Sequence, residues 1–417
     1  MKDRIPGEGK AGRVKLIPEN GDAFYAIMEM ADDPVEVGTP PTKANLLTDE
    51  TETALFGSTA DRTVNEAFMG ISAQLKLIMS DMASITVTVL DHAGNPCKNV
   101  LVTGVYSESG QAVYTGDNGV ATGYIAEGSQ TISVKGYADL SDVSKSLTVV
   151  KGSTIAETLT PTRTNFAKVT SSKSIKFSGN VSTIDASVVG GGAGGSGASG
   201  NSNEVLGGPG GSGGNVVTTD GLPVDANTLY PVVIGAGGSG GNARTSGGTG
   251  GGNSSAFGIT ATGAVACTIG TISGTKYTPG KAGAGNGIGG AGTKSSNQAA
   301  LAGNVGGDGK VPAYISFTET ATLGAGGGSG SVYAGAQAAG GVKGGGAGGK
   351  NRSYADQNGM DGSAAEANTG SGGGGGGATR YFDGDQDDWV TWTGDGGNGA
   401  AGVVTMRIHF DFGNLTA

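Results

Sequence analysis

The segment 381–392 combines aromatic rings with carboxylates, and it contains both tryptophans of the chain. Asp383, Asp385 and Asp387 alternate as in a calcium-binding loop, although the glycine and the terminal glutamate of an EF-hand are missing. Aromatic rings can also cover the apolar faces of sugars while carboxylates accept hydrogen bonds from hydroxyl groups, and exposed apolar surface often marks binding. Calcium binding, sugar binding and a solvated acidic loop therefore all stay open. The candidate ligand-binding residues are Tyr381, Asp383, Asp385, Trp389 and Trp392.

Three tyrosines interrupt the glycine runs of the same half of the chain, namely Tyr314, Tyr333 and Tyr354. Side chains outside the glycine runs are free to vary, and binding residues concentrate in such connecting segments. We therefore predict that these tyrosines contribute to the same ligand-contacting surface as segment 381–392.

The residues that usually carry enzyme chemistry are scarce. His92 and His409 have no serine or cysteine partner in a recognisable motif, although catalytic triads assemble in space. Gly344–Lys350 resembles a phosphate-binding loop, but the Ser or Thr that should follow the lysine is missing and no strand leads into it. Cys97 and Cys267 form no metal or disulfide pattern. We predict that the protein is not an enzyme and has no cofactor, and we assign no metal.

Glycine is concentrated in the back of the chain. Of 85 glycines in 417 residues, 17 fall in residues 1–189 and the other 68 in residues 190–417. Ordering a glycine costs roughly 0.5–1 kcal/mol more than ordering an alanine, so this segment is either disordered or uses glycine for close backbone packing. Strand-like apolar pieces favour order, and they occupy residues 182–189, 230–234, 311–317 and 403–410.

The ordered alternative is a bundle of polyglycine-II-type helices. Such a helix has three residues per turn and no internal hydrogen bonds, so its N–H and C=O groups must pair with neighbouring chains. Only glycine lets backbones approach closely enough. Collagen is excluded because runs such as Gly372–Gly377 break the strict three-residue repeat.

The predicted fold is mainly β and irregular, in four parts. Residues 1–57 form an arm with two short strands, and residues 58–83 form one coiled-coil helix. Residues 84–161 alternate like an immunoglobulin-like β-sandwich of about seven strands. Residues 162–417 form a glycine-rich domain of polyglycine-II-type helices framed by β-strands.

The helix prediction depends on apolar residues spaced by four and three positions, which is a heptad seam. The alternative is an amphipathic helix packed on its own domain. We prefer a short coiled coil that makes the protein a homo-oligomer, with a trimer as the expected number. The seam residues are Val64, Phe68, Ile71, Leu75, Ile78 and Met82.

Charge and hydropathy limit the partners. The formal charge is −10 and the isoelectric point is about 4.8, and no region is basic, so we expect no binding to nucleic acid. No run of 18 apolar residues occurs, so we expect no membrane insertion. The opening residues lack the apolar core of a signal peptide, so we expect synthesis in the cytoplasm.

Two parts of the front half resemble known families. The segments DRIPGEGKAGRVKLIPENG and VEVGTPPTKANLLTDETETALFG resemble the N-terminal region of tail and receptor-binding proteins of phages and prophages of Gram-positive bacteria, with an insertion before GRVKL. Residues 84–161 resemble carboxypeptidase-regulatory-like and related immunoglobulin-like modules, through D-x-x-G-x-P at Asp91–Pro96 and DNGVAT at Asp117–Thr122. Such modules commonly act as spacers.

The glycine-rich region resembles the glycine-rich domain of phage tail fibres. The matching pieces are FSGNVSTIDASVVGGGAGG, TLYPVVIGAGGSGG, GGNSSAFG and GAAGVVTMRI.

These resemblances imply a tail fibre or receptor-binding protein of a virion. Residues 1–57 would attach to other tail or baseplate proteins, and the glycine-rich domain would contact a host cell-surface glycan or protein. The alternative is a purely structural tail or baseplate component without receptor binding. A glycan depolymerase is a third reading, since paired carboxylates such as Asp383 and Asp387 can in principle serve.

Overall fold

A computed structural model describes most of the chain from residue 82 onward. The described residues are 82–108, 110–201, 203–273, 276–278, 280–295, 301–310, 323–333, 339–340, 345–350 and 360–412, with 14–18 and 26–30 as backbone and the single residues 53 and 69.

The described residues form a mainly β structure, which confirms that part of the predicted fold. The strands before residue 162 are β1 (Val14–Pro18), β2 (Ala26–Met30), β3 (Ala83–Val89), β4 (Val120–Ile125), β5 (Gly128–Val134), β6 (Val143–Val149) and β7 (Thr154–Leu159). The later strands are β8 (Phe166–Val169), β9 (Lys173–Ile175), β10 (Val181–Val189), β11 (Ser199–Gly200), β12 (Val205–Leu206), β13 (Val216–Pro223), β14 (Tyr230–Val232), β15 (Ser254–Ala256), β16 (Ile259–Ala261), β17 (Thr271–Ser273), β18 (Lys276–Thr278), β19 (Lys294–Ser295), β20 (Ala378–Asp383), β21 (Asp388–Thr393) and β22 (Val403–Phe410).

The predicted coiled-coil helix over residues 58–83 is wrong for the described structure, because the elements of the described residues are all strands and only the single residues Thr53 and Met69 are in a helical conformation. Met82 forms a bend and Ala83 begins strand β3, whose side chains alternate between buried and half-buried. Isoleucine, valine and threonine are stiff at χ1 and favour this extended, half-buried surface. The remaining seam positions lie outside the described residues, and they are Val64, Phe68, Ile71, Leu75 and Ile78.

Residues 84–161, the β module, contain a three-stranded sheet in the order β4-β3-β7 and a two-stranded sheet of β5 and β6. Valine and isoleucine side chains fill its interior; Val87, Ile125 and Ile132, for example, are fully buried. Within residues 100–106 the pairing consists only of isolated bridges, because Gly104 adopts a φ of +85° that interrupts extended pairing.

The glycine-rich domain begins and ends in one antiparallel sheet of order β13-β10-β22-β8. Strands β10 and β22 pair along nearly their whole length. One face of this sheet packs on a hydrophobic core that contains Ile184, Val188 and Met406. Phe177, Tyr230 and Phe257 stack in the same core with ring centroids 5.6–6.2 Å apart.

Beyond this sheet the chain forms a lattice of extended glycine runs joined by backbone hydrogen bonds. The backbone N–H groups of the run 190–198 donate hydrogen bonds to three neighbouring runs in turn. Every third residue therefore bonds to the same neighbour, as expected for a chain with three residues per turn. Its donor–acceptor pairs are Gly191–Gly252, Gly194–Thr249, Gly192–Ala400, Gly195–Gly397, Ala198–Gly394, Ala193–Ser212 and Ser196–Pro209, with N···O distances of 2.9–3.0 Å.

The lattice requires glycine because neighbouring backbones leave no room for side chains. A Cβ built on Gly195 or Gly374 would lie closer than 3.0 Å to a backbone oxygen of the next run. Buried backbone polar groups must be paired, and this close approach lets each run pair with several neighbours. The pairing offsets the conformational entropy that glycine loses on ordering.

Arg163 forms a buried clamp between the β module and the glycine-rich domain. Its guanidinium donates to Asp91 Oδ2 of the module at 2.9 Å and to Asn180 Oδ1 of the domain at 3.3 Å, and it lies 3.7 Å from Asp139 Oδ2. The Arg163 side chain is only 5% exposed. Burial raises the pKa of the adjacent Cys97 thiol to about 11.

Aromatic and hydroxyl groups of the glycine-rich domain complete the clamp. The Arg163 guanidinium lies over the rings of Phe410 and Phe412, 4.8 and 5.2 Å from their centroids. Ser178 donates to Asp139 from its amide at 3.0 Å and from its hydroxyl at 2.5 Å. Burial raises the pKa of Asp139, and the Ser178 hydrogen bonds and the Arg163 charge oppose that shift. The two regions are therefore joined by buried side chains as well as by the chain itself.

The chain divides into two compact units. The first contains Met1–Ser84, Ala126–Gly128 and Val149–Thr154. The second contains most of the β module and the whole glycine-rich domain. In the described part of the chain we find no helix of the length and apolarity needed to cross a membrane.

The glycine lattice has two different ends. At the sheet end the runs continue into the four-stranded sheet, where Gly190 bonds to Asn215 and Gly402 bonds to Gly235. The β module is attached at this end, since Gly179 N–H donates to Lys98 O at 2.7 Å and Asn227 Nδ2 donates to Asn99 O at 2.7 Å. At the opposite end, the loop end, the runs are joined by loops and short strands, including 203–206, 242–246, 271–273, 276–278 and 378–393.

Candidate functional site

The aromatic and acidic segment forms a β-hairpin at the loop end. Strands β20 and β21 pair antiparallel, with Phe382 opposite Trp389 and Asp383 opposite Asp388. Residues 384–387 close the hairpin in an exposed turn, and Asp387 takes a φ of +51°. Aspartate is one of the few residues other than glycine that tolerates this conformation.

The hairpin separates the two tryptophans onto opposite faces, because side chains alternate along a strand. On the Trp389 face, which consists of Arg380, Phe382, Trp389 and Thr391, the Phe382 and Trp389 rings meet edge to face at 5.6 Å. The Arg380 guanidinium lies over Trp389, 4.3 Å from the ring centroid. On this face Phe382 is 49% exposed, while Trp389 is half-buried.

The opposite face, the Trp392 face, includes Tyr381, Asp383, Asp388, Val390 and Trp392. Tyr381 and Trp392 meet edge to face with centroids 4.9 Å apart, and both are half-buried. The structure thus brings Trp392, Tyr381 and Asp383 together as one group and places Trp389 in another. Asp385 belongs to the exposed turn, where its N–H donates to Asp383 Oδ1 at 3.0 Å.

Polar contacts hold the base of the hairpin against neighbouring loops. Thr391 Oγ1 donates to Asn201 O at 2.9 Å, and Arg244 donates to Thr391 O. Asp395, just after β21, accepts from Ala243 N–H at 2.6 Å and its own N–H donates to Asp361 Oδ1 at 2.7 Å. These contacts fix the hairpin to the lattice while its turn stays exposed.

Sequence reasoning missed these supporting residues. Asn201, Arg244 and Asp361 lie in short polar interruptions of glycine runs, such as NARTS at 242–246. The sequence predictions assigned binding only to the interruptions that contain aromatic residues. The sequence signal for these supporting residues is the interruption of the glycine run, because larger side chains occur where the chain leaves the lattice.

The other predicted tyrosines differ in their surroundings. Tyr333 is 9% exposed and packs with Ala198, Val205, Val332 and Ala378 beneath the hairpin. Its ring therefore supports the hairpin rather than facing solvent.

Tyr314 and Tyr354 lie outside the described residues. The described residues that flank these two tyrosine segments lie at opposite ends of the lattice. Lys310 and Leu323 pair with each other, and Leu323 packs with Val189 at the sheet end. Met360 accepts a hydrogen bond from Gly377 N–H at 2.7 Å, directly below the hairpin.

The carboxylates of the hairpin do not form a metal centre by geometry. Within the described ranges, no group of three or more His, Cys, Asp or Glu residues is arranged to hold a metal ion. Asp388 Oδ1 instead accepts a hydrogen bond from Trp389 N–H at 2.7 Å. The alternating aspartates therefore act as a local charge cluster.

A second group of titratable residues lies on the framing sheet. Asp185 is buried and accepts hydrogen bonds from Gly221 N–H at 2.7 Å and from Arg407 Nε at 2.8 Å. His409 Nε2 lies 2.6 Å from the same carboxylate. Burial alone would raise the pKa of Asp185, but the Gly221 hydrogen bond and the His409 and Arg407 contacts together lower it. This arrangement ties β10 to β22 and has the character of a structural ion pair.

A cavity of about 540 Å³ opens beside the framing sheet. Its lining is mainly apolar and includes Leu222, Tyr230, Pro231, Phe257 and Ile259. It lies at the sheet end, whereas the hairpin lies at the loop end.

These features define a class of protein: a glycine lattice framed by a β-sheet at one end and carrying loops at the other. A family model described as a glycine-rich domain matches residues 168–409. Because the match covers more than half of the chain, the chain belongs to this glycine-rich domain family.

The other comparisons add little. No curated protein matches the sequence. Among solved structures, the chain is similar to a DUF3823 family protein from Bacteroides ovatus ATCC 8483, at 11% sequence identity over 36% of this chain and 87% of that chain, with a TM-score of 0.17. At that TM-score the likeness carries no inference.

Proposed function

We propose that this protein is a tail fibre or receptor-binding protein of a phage virion that contacts the host surface through the loop end of its glycine lattice. The observation that carries the proposal is that the two ends of the lattice carry different structures. The β module joins the sheet end through the Arg163–Asp91 ion pair and the hydrogen bond from Lys98 N–H to Asn180 Oδ1, whereas the aromatic hairpin lies at the opposite end. We therefore propose the loop end, which carries the hairpin, as the end that meets the host.

The chemistry of the hairpin supports a binding role for that end. Phe382 is about half exposed although it is apolar, and the two tryptophans offer large ring surfaces on separate faces. Aromatic side chains dominate the energetics of many interfaces because they bury large areas at small entropic cost. The rigid lattice below adds preorganisation, which lowers the cost of binding.

The N-terminal resemblance supports the virion assignment, with residues 1–57 as the attachment to other tail or baseplate proteins. Homo-oligomerisation stays a prediction from the heptad spacing alone.

The test is binding of the labelled full-length protein to intact host cells, with competition by phage particles. We expect saturable binding that competes with phage adsorption. Trp389→Ala and Trp392→Ala, tested separately, should each weaken binding by about tenfold or more if that face contacts the receptor, as hot-spot aromatics do. Tyr106→Ala is the matched control, because Tyr106 is an exposed aromatic of the β module, 52% exposed.

The outcomes separate the alternatives. A folded protein that fails to bind cells would favour a structural tail component. Release of new reducing ends from surface glycans would instead favour a depolymerase. Thermal unfolding of each variant shows whether lost binding reflects lost structure.

A further inference from the structure

The β20–β21 hairpin carries an unbalanced negative charge beside its aromatic rings. Asp383, Asp385, Asp387 and Asp388 lie within six residues. Within the described structure none of these four carboxylates forms an ion pair. The one cation of the hairpin, Arg380, lies over the Trp389 ring.

Two of these carboxylates are held in an unfavourable position. Asp383 and Asp388 are direct cross-strand partners, and like charges placed opposite each other destabilise a strand pair. Hydrogen bonds to backbone N–H groups at 385 and 389 hold one oxygen of each carboxylate. A cation placed near this pair would relieve the repulsion.

The aromatic rings beside the carboxylates suit the same type of ligand. The face of an aromatic ring attracts a Lys or Arg cation within about 6 Å of its centroid. Arg380 already uses the Trp389 ring in this way, at 4.3 Å. On the other face, Tyr381 and Trp392 lie on the same side of the hairpin as Asp383 and Asp388.

We infer that the hairpin binds a segment of a host surface protein that carries Lys or Arg side chains. This inference rests on the proposed function and specifies its receptor. The Lys or Arg cations would lie against the rings of the Trp392 face and near the Asp383–Asp388 pair. Anionic surface polymers would be repelled by the same carboxylates, so the hairpin also discriminates against them.

The first arm of the test measures the association rate of the full-length protein with intact host cells at increasing salt. Between about 0.1 M and about 1 M salt the screening length falls from about 10 Å to about 3 Å. Attraction between opposite charges should therefore lose about 3- to 10-fold in association rate over this range.

The second arm compares two charge-matched double variants. D385N/D387N removes two charges from the exposed turn, and asparagine fits the positive φ of position 387. D225N/E366Q removes two exposed charges elsewhere, near the sheet end. We expect the turn variant to bind several-fold more slowly with a weaker salt dependence, and the control to match the wild type.

Treatment of the cells identifies the receptor class. Surface proteolysis should abolish binding, while periodate oxidation of glycans should leave it intact. Binding that is independent of salt, equal in both variants, or lost only after periodate overturns the inference and leaves the proposed function standing. Absence of wild-type binding at every salt concentration overturns both.

Discussion

In the β module the buried atoms belong mainly to side chains, whereas in the glycine lattice they belong mainly to the backbone. The module buries Val87, Ile125 and Ile132 between its strands. The lattice buries Gly192, Gly195 and their neighbours, whose only interactions are hydrogen bonds and backbone contacts. The hydrophobic effect that stabilises the module scales with buried apolar area, and the lattice offers little of it. Its order depends on the completeness of its hydrogen bonding.

This difference predicts different responses to mutation. A side-chain core tolerates small changes in volume at modest cost. A backbone lattice has no adjustable side chains at its contacts, so an added atom meets a carbonyl oxygen directly.

The largest expected effect is at the junction of the two regions. Arg163→Ala leaves Asp91 and Asp139 buried without their cation, which should lower the free energy of unfolding by about 3–5 kcal/mol. Urea unfolding measures this change. Lys145→Ala is the control, because Lys145 pairs with Glu157 at the surface and should change stability by only about 0–1 kcal/mol. Equal effects of the two variants would contradict the buried clamp.

Within the lattice, Gly374→Ala places a Cβ against the carbonyl of Ala347. We expect a loss of about 1–3 kcal/mol, as for other overpacked sites, measured as the shift of the urea midpoint. Gly384→Ala is the matched control, since its Cβ would meet no atom within 4 Å, and its free energy of unfolding should stay within about 0.5 kcal/mol of the wild type.

In the module, Ile132→Val removes one carbon from a side-chain core and should cost about 0.5–1.5 kcal/mol. If Gly374→Ala were neutral, the lattice would have more freedom to adjust than its geometry indicates.

The framing sheet gives a smaller, pH-dependent effect. The folded-state pKa of Asp185 is lowered from 3.8 by Gly221, His409 and Arg407 against the effect of burial. Its contribution to stability is therefore present above about pH 4 and is lost as the pH falls through the lowered pKa. Asp185→Asn should cost about 1–2 kcal/mol at neutral pH.

The difference between Asp185→Asn and the wild type should shrink in acid. Unfolding curves at pH 7 and below pH 4 measure it. A difference that stays constant across this range would mean that the Asp185 carboxylate is not the titrating group.

Much of the framing structure could be predicted from local sequence. The strand-like apolar pieces at 182–189 and 403–410 predicted strands, and β10 and β22 occupy these positions. The hairpin at 378–393 is not among the sequence predictions, although its turn begins with the dipeptide Asp383-Gly384, which is typical of hairpin turns. The four-residue turn 384–387 is longer than the two-residue turn that this dipeptide usually marks. Consequently the opposite orientation of Trp389 and Trp392, which follows from strand alternation, was not foreseen.

The end of the helix predicted over 58–83 shows a limit of arguments from spacing. Six apolar residues at heptad spacing satisfy a helical seam, yet Ala83–Val89 is a strand and Met82 a bend. Sequence periodicity also carries no information about which runs of a lattice are neighbours. Tyr333 looked like an exposed aromatic but packs with Ala198 and Val205, residues more than 100 positions away.

The three-residue repeat of the lattice has a consequence for how the protein behaves in solution spectroscopy. Chains with three residues per turn and no internal hydrogen bonds resemble the extended conformers that dominate unfolded polypeptides. The glycine runs should therefore contribute to the far-ultraviolet circular dichroism spectrum as an unstructured chain does. Amide hydrogen exchange would report the opposite, since the N–H groups of Gly192, Gly195 and Gly373 are buried and bonded to neighbouring runs. In this domain, slow exchange rather than a recognisable dichroic signature is the mark of the folded state.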